Sequence, residues 1–351
     1  MKFKDLIKIY WFAGAVTILI WGLVGWKMGT AALFTVLVLT LLETTFSADN
    51  AVVNSKVLGT MSPFWQKLFM TVGIFIAVFV VRFALPIAIV AFSAGIGFNE
   101  VVNLAMHHPH QYEHELAKAE PVISAFGGTF LLMITLSYFI DYNKKTHWLP
   151  FFEKYLGKLG RFDNITVFIM LIMTLVIYAT VGSEHHETIF LASISAMALH
   201  IGLELLSAAM GTAEDKTKVK HRTGLAAFSA FMYLEILDAS FSLDGVIGAF
   251  ALTSSVVLII AGLGAGAIWV RAMTVHLVRS NALAKYMFLE HGAHWAIGFL
   301  GGIMLLKLYH IVLPEFIVGG LGIAFIALAI IWSKHVTNKR LKAGSMPGQP
   351  V

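Results

Sequence analysis

The chain has 351 residues, of which 58% are hydrophobic and 13% charged, with a mean hydropathy of +0.80 and a formal net charge of +5. That balance excludes a soluble globular domain and describes a polytopic membrane protein. With no cysteine in the chain, disulfides, thiolate metal sites and cysteine nucleophiles are excluded, so a metal would be held by oxygen, imidazole or methionine sulfur.

A membrane helix needs about 20 apolar residues. By that measure the sequence predicts ten, near 9–28, 30–57, 65–92, 122–141, 165–181, 188–211, 225–251, 254–278, 293–309 and 314–334. The first follows three lysines without a small-residue cleavage site and reads as a retained helix rather than a signal peptide. Surface helices are expected within 93–121 and 142–164. The whole is an all-α bundle forming one transmembrane domain over 1–340, followed by a flexible tail at 341–351.

The basic residues set the orientation. Of 25 Lys and Arg, 20 lie in the N-terminal tail, the loops after the even-numbered predicted helices and the C-terminal tail, and only Lys27 and Lys118 lie in the opposite loops. This asymmetry predicts cytoplasmic termini, and a bacterial inner membrane is the expected location. It also accounts for the positive charge without nucleic acid, for which the chain has no reader. Arg82, Arg271 and Lys307 remain, inside the third, eighth and ninth predicted helices.

Six carboxylates lie within apolar spans, and four belong to two copies of one pattern. Glu43-Thr-Thr-Phe46-Ser47-Ala-Asp49-Asn50 matches Asp238-Ala-Ser-Phe241-Ser242-Leu-Asp244-Gly245: an acid, then Phe-Ser, then Asp six residues after the first acid. The second predicted helix enters from outside and the seventh from the cytoplasm, so the copies run in opposite directions. Arg82 and Arg271 then fall late in the helix after each copy. Opposed copies of one element predict an inverted repeat, the second and third helices against the seventh and eighth, with a site near the midplane.

Each motif helix is long, roughly 40 Å at 1.5 Å per residue against a hydrocarbon core of about 30 Å, which implies a tilt or a break. Glu43, Ser47, Asn50 and Asn54 form one polar stripe, and Glu235, Asp238 and Ser242 another. Asp49 and Asp244 fall off these stripes beside Asn50 and Gly245, both poor helix formers, so local unwinding is expected at both places. Glu43, Asp49, Glu204, Glu235, Asp238 and Asp244 face only three intramembrane bases, so at least three acids are expected to lack a basic partner and to be protonated, hydrated or occupied by a cation. Oxygen-rich seams suit Mn²⁺, Ca²⁺ or Mg²⁺. The competing reading is a set of structural ion pairs, with Arg82 and Arg271 as counter-ions.

Taken together these residues resemble the tellurium-resistance TerC family of integral membrane proteins. The family pattern has an acid six residues before Asp-Asn in an early helix, matched by Glu43, Asp49 and Asn50. It has Glu-x-x-Asp-x-x-Phe-x-x-Asp in a later one, matched by Glu235, Asp238, Phe241 and Asp244. The resemblance extends to the Gly-rich ninth helix with Gly298, Gly301, Gly302 and Lys307, and is much weaker from 93 to 224. Gly245 departs from the Ser common in the family, and the His-rich insertion after the third helix is unusual. The resemblance implies an inverted-repeat exporter of Mn²⁺ or a similar divalent ion.

Other polar groups have less specific readings. His107, His108, His110 and His114 with Glu113 and Glu115, and the run Glu184-His185-His186-Glu187, lie in loops on the same outside face, where they would collect or release metal or would simply be loop polarity. His200 and Glu204, at i and i+4, suit a proton relay or an ordinary buried hydrogen bond. Gly262 to Gly266 and Gly298 to Gly302 read as close helix contacts.

The reading is therefore a transporter, not an enzyme, exporting one divalent cation by alternating access. Glu43, Asp49, Asp238 and Asp244 are the expected ligands, Asn50, Ser47 and Ser242 weaker ones, and Glu235 a ligand or proton carrier. The lipid bilayer and the metal ion are the expected partners, and the ion is cargo rather than prosthetic group. Two alternatives stand beside it: a membrane scaffold that delivers metal without turnover, and an intramembrane aspartic protease in which two aspartates share a proton.

Overall fold

A computed structural model describes residues 3–182, 186–209 and 222–342. In chain order it consists of α1 (Phe3–Phe46), α2 (Ala48–Gly59), α3 (Pro63–Phe69), α4 (Val72–Phe75), a π-helix (Ile76–Ala84), α5 (Leu85–Ala94), α6 (Phe98–His107) and α7 (Pro109–Phe139). There follow α8 (Pro150–Leu159), α9 (Ile165–Thr180), α10 (His186–Ala209), α11 (Gly224–Ala249), α12 (Val256–Arg279), α13 (Ala282–Lys285), α14 (Leu289–Lys307) and α15 (Glu315–Lys342). The protein is an all-helical membrane bundle.

Among the described residues, seven helices are long and apolar enough to cross a membrane. The first of them, α1, is two segments, because Gly29 adopts φ 88° and ψ 178° and interrupts it. Only glycine takes that conformation without strain, so the chain turns between the first and second predicted helices at the boundary the sequence gives them. The shorter α9 and α14 complete the correspondence with the ten predicted segments. The expected surface helices are α6 and α8, and α7 begins at Pro109, well before its predicted start, so that part of the His-rich stretch is helical. Glu184, His185 and the tail from 343 lie outside the described residues.

The third predicted helix is not a regular rod. It is interrupted at Met70 and Thr71, then widens into the π-helix before α5. Pro86, in the first turn of α5, has no N–H to return to the Arg82 carbonyl and its ring crowds that carbonyl, which a wider turn relieves. Arg82 thus projects from a π-helical turn, a feature that recurs at functional sites.

The two halves pack reciprocally. The helices that carry the first motif, α1 and α2, lie against α12, while α11, which carries the second, lies against the π-helix, and α12 also touches the π-helix. This is the contact pattern an inverted repeat produces. On the other flank α7 packs against α14 and α10, and α15 covers α14. The approach of α1 to α12 is close because Gly266 offers no side chain: a methyl there would lie 2.5 Å from Glu43 Cβ.

Candidate cation site

The first motif lies across a helix break. α1 ends at Phe46, Ser47 stands between helices at φ −95° and ψ 21°, and α2 begins at Ala48. The backbone ladder is strained rather than lost, since Ser47 N–H still donates to the Glu43 carbonyl at 3.1 Å and Ala51 N–H to the Ser47 carbonyl at 3.3 Å. The consequence is that Asp49 occupies the first turn of α2, where a helix N-terminus favours negative charge, and its Oδ1 accepts the Asn50 N–H at 2.9 Å. At the second copy α11 runs unbroken through Asp244 and Gly245. Unwinding is therefore absent there. Gly245 instead faces the Glu43 carboxylate, whose Oε2 would lie 3.6 Å from an added Cβ.

Three bases, Arg82, Arg271 and Lys307, hold the paired intramembrane acids. Arg82 Nη2 donates to Glu43 Oε1, and Arg82 Nη1 donates to the Ala77 carbonyl at 2.7 Å. Arg271 grips Glu235 with two parallel bonds of 2.9 and 2.7 Å. Asp238 lies between the two guanidinium groups, its Oδ2 3.5 Å from Arg271 Nη2 and 3.9 Å from Arg82 Nη1. Lys307 Nζ donates to Asp244 Oδ1 at 2.6 Å and lies 3.4 Å from Glu120 Oε1. The fork of Arg271 has no room to spare, since a methyl at Gly73 would collide with its Nη1 and lie 2.7 Å from Glu235 Oε1.

Asp49 is different. It is only 6% exposed and forms no ion pair among the described residues. Beside it, Asn50 is 3% exposed and its Oδ1 has no hydrogen-bond partner; Asn54, further along α2 and outside the cavity lining, is 2% exposed and its Oδ1 is likewise without a partner. A buried acceptor left without a donor costs free energy unless a water or a cation meets it. Asp49, Asn50, Glu43, Ser47 and Asp244 line one cavity of about 120 Å³, whose wall includes Lys307, Leu252 and Leu313 and which Gly319 and Gly322 of α15 close.

The structure thus brings Glu43, Asp49, Asn50, Ser47 and Asp244 to one space, and leaves Glu235, Asp238 and Ser242 outside its lining, the two acids in the arginine layer and Ser242 buried. Among the described residues no three His, Asp or Glu side chains converge closely enough to hold a metal on their own. A cation here would need amide and hydroxyl oxygens as well, or movement of Asp244 away from Lys307. The expectation of at least three unpartnered acids is corrected. Each base holds two carboxylates, so of the motif acids only Asp49 is left over.

His200 and Glu204 are neighbours without being a buried pair. His200 is 3% exposed, but the Glu204 side chain is 61% exposed and its Oε2 lies 3.9 Å from His200 Nδ1, which has no hydrogen-bond partner. They border a separate cavity of about 290 Å³ with Lys56, Ser229 and Tyr233. The histidines around α6 and α7 are dispersed, with His110 Nδ1 and His114 Nδ1 each 3.6 Å from a neighbouring Glu at exposed positions.

Sequence reasoning missed two contributors: Glu120 as second partner of Lys307, and the α15 glycines, of which Gly319 admits Phe46 and Gly319 and Gly322 line the cavity. The run Gly319-Gly320-Leu-Gly322 at the head of an apolar helix was a usable sign of the second.

A family model described as a protein of unknown function, DUF475, matches residues 48–341. The matched span begins with α2, so it takes in Asp49 and the whole second motif but not Glu43. No curated protein and no solved structure matches the chain.

Proposed function

We propose, for a chain that belongs to the DUF475 family, that this membrane protein transports a hard divalent cation, with Mn²⁺ the expected ion, through the cavity at the break between α1 and α2. The observation that carries the reading is Asp49. It is a buried carboxylate without a basic partner among the described residues, at a helix N-terminus, next to Asn50, whose buried amide oxygen has no donor and which lines the same cavity. Intramembrane carboxylates persist where they meet a partner, a cavity or a travelling ion, and an all-oxygen set suits Mn²⁺, Mg²⁺ or Ca²⁺ better than a soft ion.

Asp49 and Asn50 are the assigned ligands, with Glu43, Ser47 and Asp244 completing the shell. In the conformation described, Arg82 and Lys307 occupy the carboxylates of Glu43 and Asp244. Binding would therefore exchange a lysine contact for a metal contact, a way to make ion arrival move α14 relative to α11. Glu235 and Asp238 are assigned to the structural layer with Arg271, together with the counter-ion Arg82. The similarity of the motifs to the tellurium-resistance TerC family supports export as the direction. The excess of bases in one set of loops supports cytoplasmic termini and a bacterial inner membrane. With these assignments the cavity wall at Leu252 and Leu313 faces outward, and the ion is cargo rather than resident cofactor.

A metal-delivering scaffold would use the same ligands without turnover; an aspartic protease is disfavoured because Asp238 and Asp244 are each tied to a base. Equilibrium binding of Mn²⁺, read by loss of the free-ion electron paramagnetic resonance signal in nanodiscs, tests the site. One ion per chain is expected. Asp49→Asn should weaken binding at least about tenfold, the lower end of what even outer-shell changes cost at metal sites. Unchanged binding in that variant overturns the assignment.

A further inference from the structure

A second feature lies away from the cavity. A groove of about 620 Å³ opens between the start of α1, the α3–α4 segment and the end of α12, and its rim carries Lys8, Lys67 and Arg279. These bases come from three elements far apart in the sequence, and all three are exposed. None forms an ion pair among the described residues, and no acidic side chain lines the groove. The other polar groups there are already satisfied: Gln66 donates to the Leu58 and Met61 carbonyls at 3.2 and 3.1 Å, and Thr71 to the Lys67 carbonyl at 3.0 Å. The walls are apolar, built by Ile9, Phe12, Ile74 and Val275.

We propose that this groove is a specific site for one anionic phospholipid, with the headgroup phosphate held by Lys8, Lys67 and Arg279 and an acyl chain along Ile9, Phe12 and Ile74. Three bases lining one groove with apolar walls suit an anion that carries an apolar tail, and basic pockets between membrane helices suit lipid headgroups. A free phosphate would meet the charge but leave the apolar walls unmet. All three bases belong to the loop set that carries 20 of the 25 positive residues, which puts the groove at headgroup depth.

The lipid would act on the arginine layer. Met70 and Thr71 in the groove follow Phe69, whose carbonyl accepts from Arg271 Nη1 at 3.1 Å and whose ring centroid lies 4.2 Å from the same guanidinium. Val275 and Arg279 lie one and two turns beyond Arg271 on α12. An occupied groove thus clamps the two elements that hold the Arg271 fork. The inference needs only a membrane-embedded chain and does not depend on what the cavity transports.

Native mass spectrometry of the full chain, titrated with phosphatidylglycerol or with phosphatidylcholine of the same acyl chains, tests it. One phosphatidylglycerol should be retained per chain in preference to phosphatidylcholine. Removing a base should weaken retention about fivefold, and Lys8→Ala, Lys67→Ala and Arg279→Ala combined about a hundredfold. Lys67→Ala alone keeps the test decisive should the triple variant fail to fold: retention equal to that of the unaltered chain overturns the proposal. So does equal retention of phosphatidylcholine, displacement of phosphatidylglycerol by millimolar inorganic phosphate, or a dimer that excludes lipid and dissociates when the three bases are removed.

Discussion

Glu43 and Asp238 occupy equivalent positions in the two motifs and each faces the arginine of its own half, Arg82 and Arg271, whereas Asp49 and Asp244 part company. Asp244 has Lys307, and Asp49 has no base among the described residues. Counting acids against bases in the sequence overstated the surplus because it assumed one acid per base. A guanidinium offers five donors and can hold two carboxylates at once. The acids themselves were legible as charges in apolar surroundings; their sharing was not, because it depends on distances set by helix packing. Two variants should separate the roles. Glu235→Gln removes one half of a buried bidentate pair, and such a break costs about 3–5 kcal/mol, so unfolding in detergent should come at clearly lower temperature. Asp49→Asn removes an uncompensated buried charge and should leave the unfolding temperature unchanged or raised. A large destabilisation by Asp49→Asn would mean that Asp49 is part of the structural layer.

The spans were readable from apolar run lengths because a bilayer fixes how many residues cross it; length implied a tilt or a break in the second predicted helix, and the break lies at Ser47 rather than at Asp49-Asn50, which are helical in α2. Its mirror at Asp244-Gly245 was not realised, since Gly245 serves close approach to Glu43 and the i→i−4 ladder carries on past it. The π-helix at Arg82 could not be read from composition, which reports apolarity but not the register of hydrogen bonds. The loop between α7 and α8 is tied down through Glu153, only 1% exposed, which accepts N–H bonds from Trp148 at 2.9 Å and from the Trp295 indole at 3.1 Å. In that loop Lys144 Nζ sits 3.4 Å from the Tyr138 ring centroid without a hydrogen-bond partner, and burial pulls its pKa from 10.5 down to about 8 despite nearby Glu153 and Glu290. A base whose folded pKa is depressed penalises the folded state while it is charged. The penalty is full below pH 8 and fades as pH rises from about 8 to 10.5. Thermal unfolding of Lys144→Met relative to the unaltered chain should therefore show an advantage near pH 7 that shrinks toward pH 10. A difference independent of pH would show that the lysine is not buried as described.

Across the whole molecule, reciprocal packing of α1 and α2 on α12 and of α11 on the π-helix brings the first motif and Asp244 to one cavity, while the histidines around α6 and α7 stay apart from it. Replacing His107, His108, His110 and His114 together by Ala should alter at most the apparent affinity for the ion. Complete loss of transport with normal membrane insertion would place that segment in the obligatory ion path. The central claim is that an ion passes through the Asp49 cavity. Mn²⁺ entry into proteoliposomes, followed by quenching of an enclosed metal-sensitive dye under an imposed gradient, addresses it most directly. The unaltered chain should admit Mn²⁺ well above protein-free vesicles, and Asp49→Asn, inserted and folded to the same extent, should fall to the protein-free rate. Flux in Asp49→Asn equal to that of the unaltered chain, or no flux in either when Mn²⁺ binding is intact, would contradict the account.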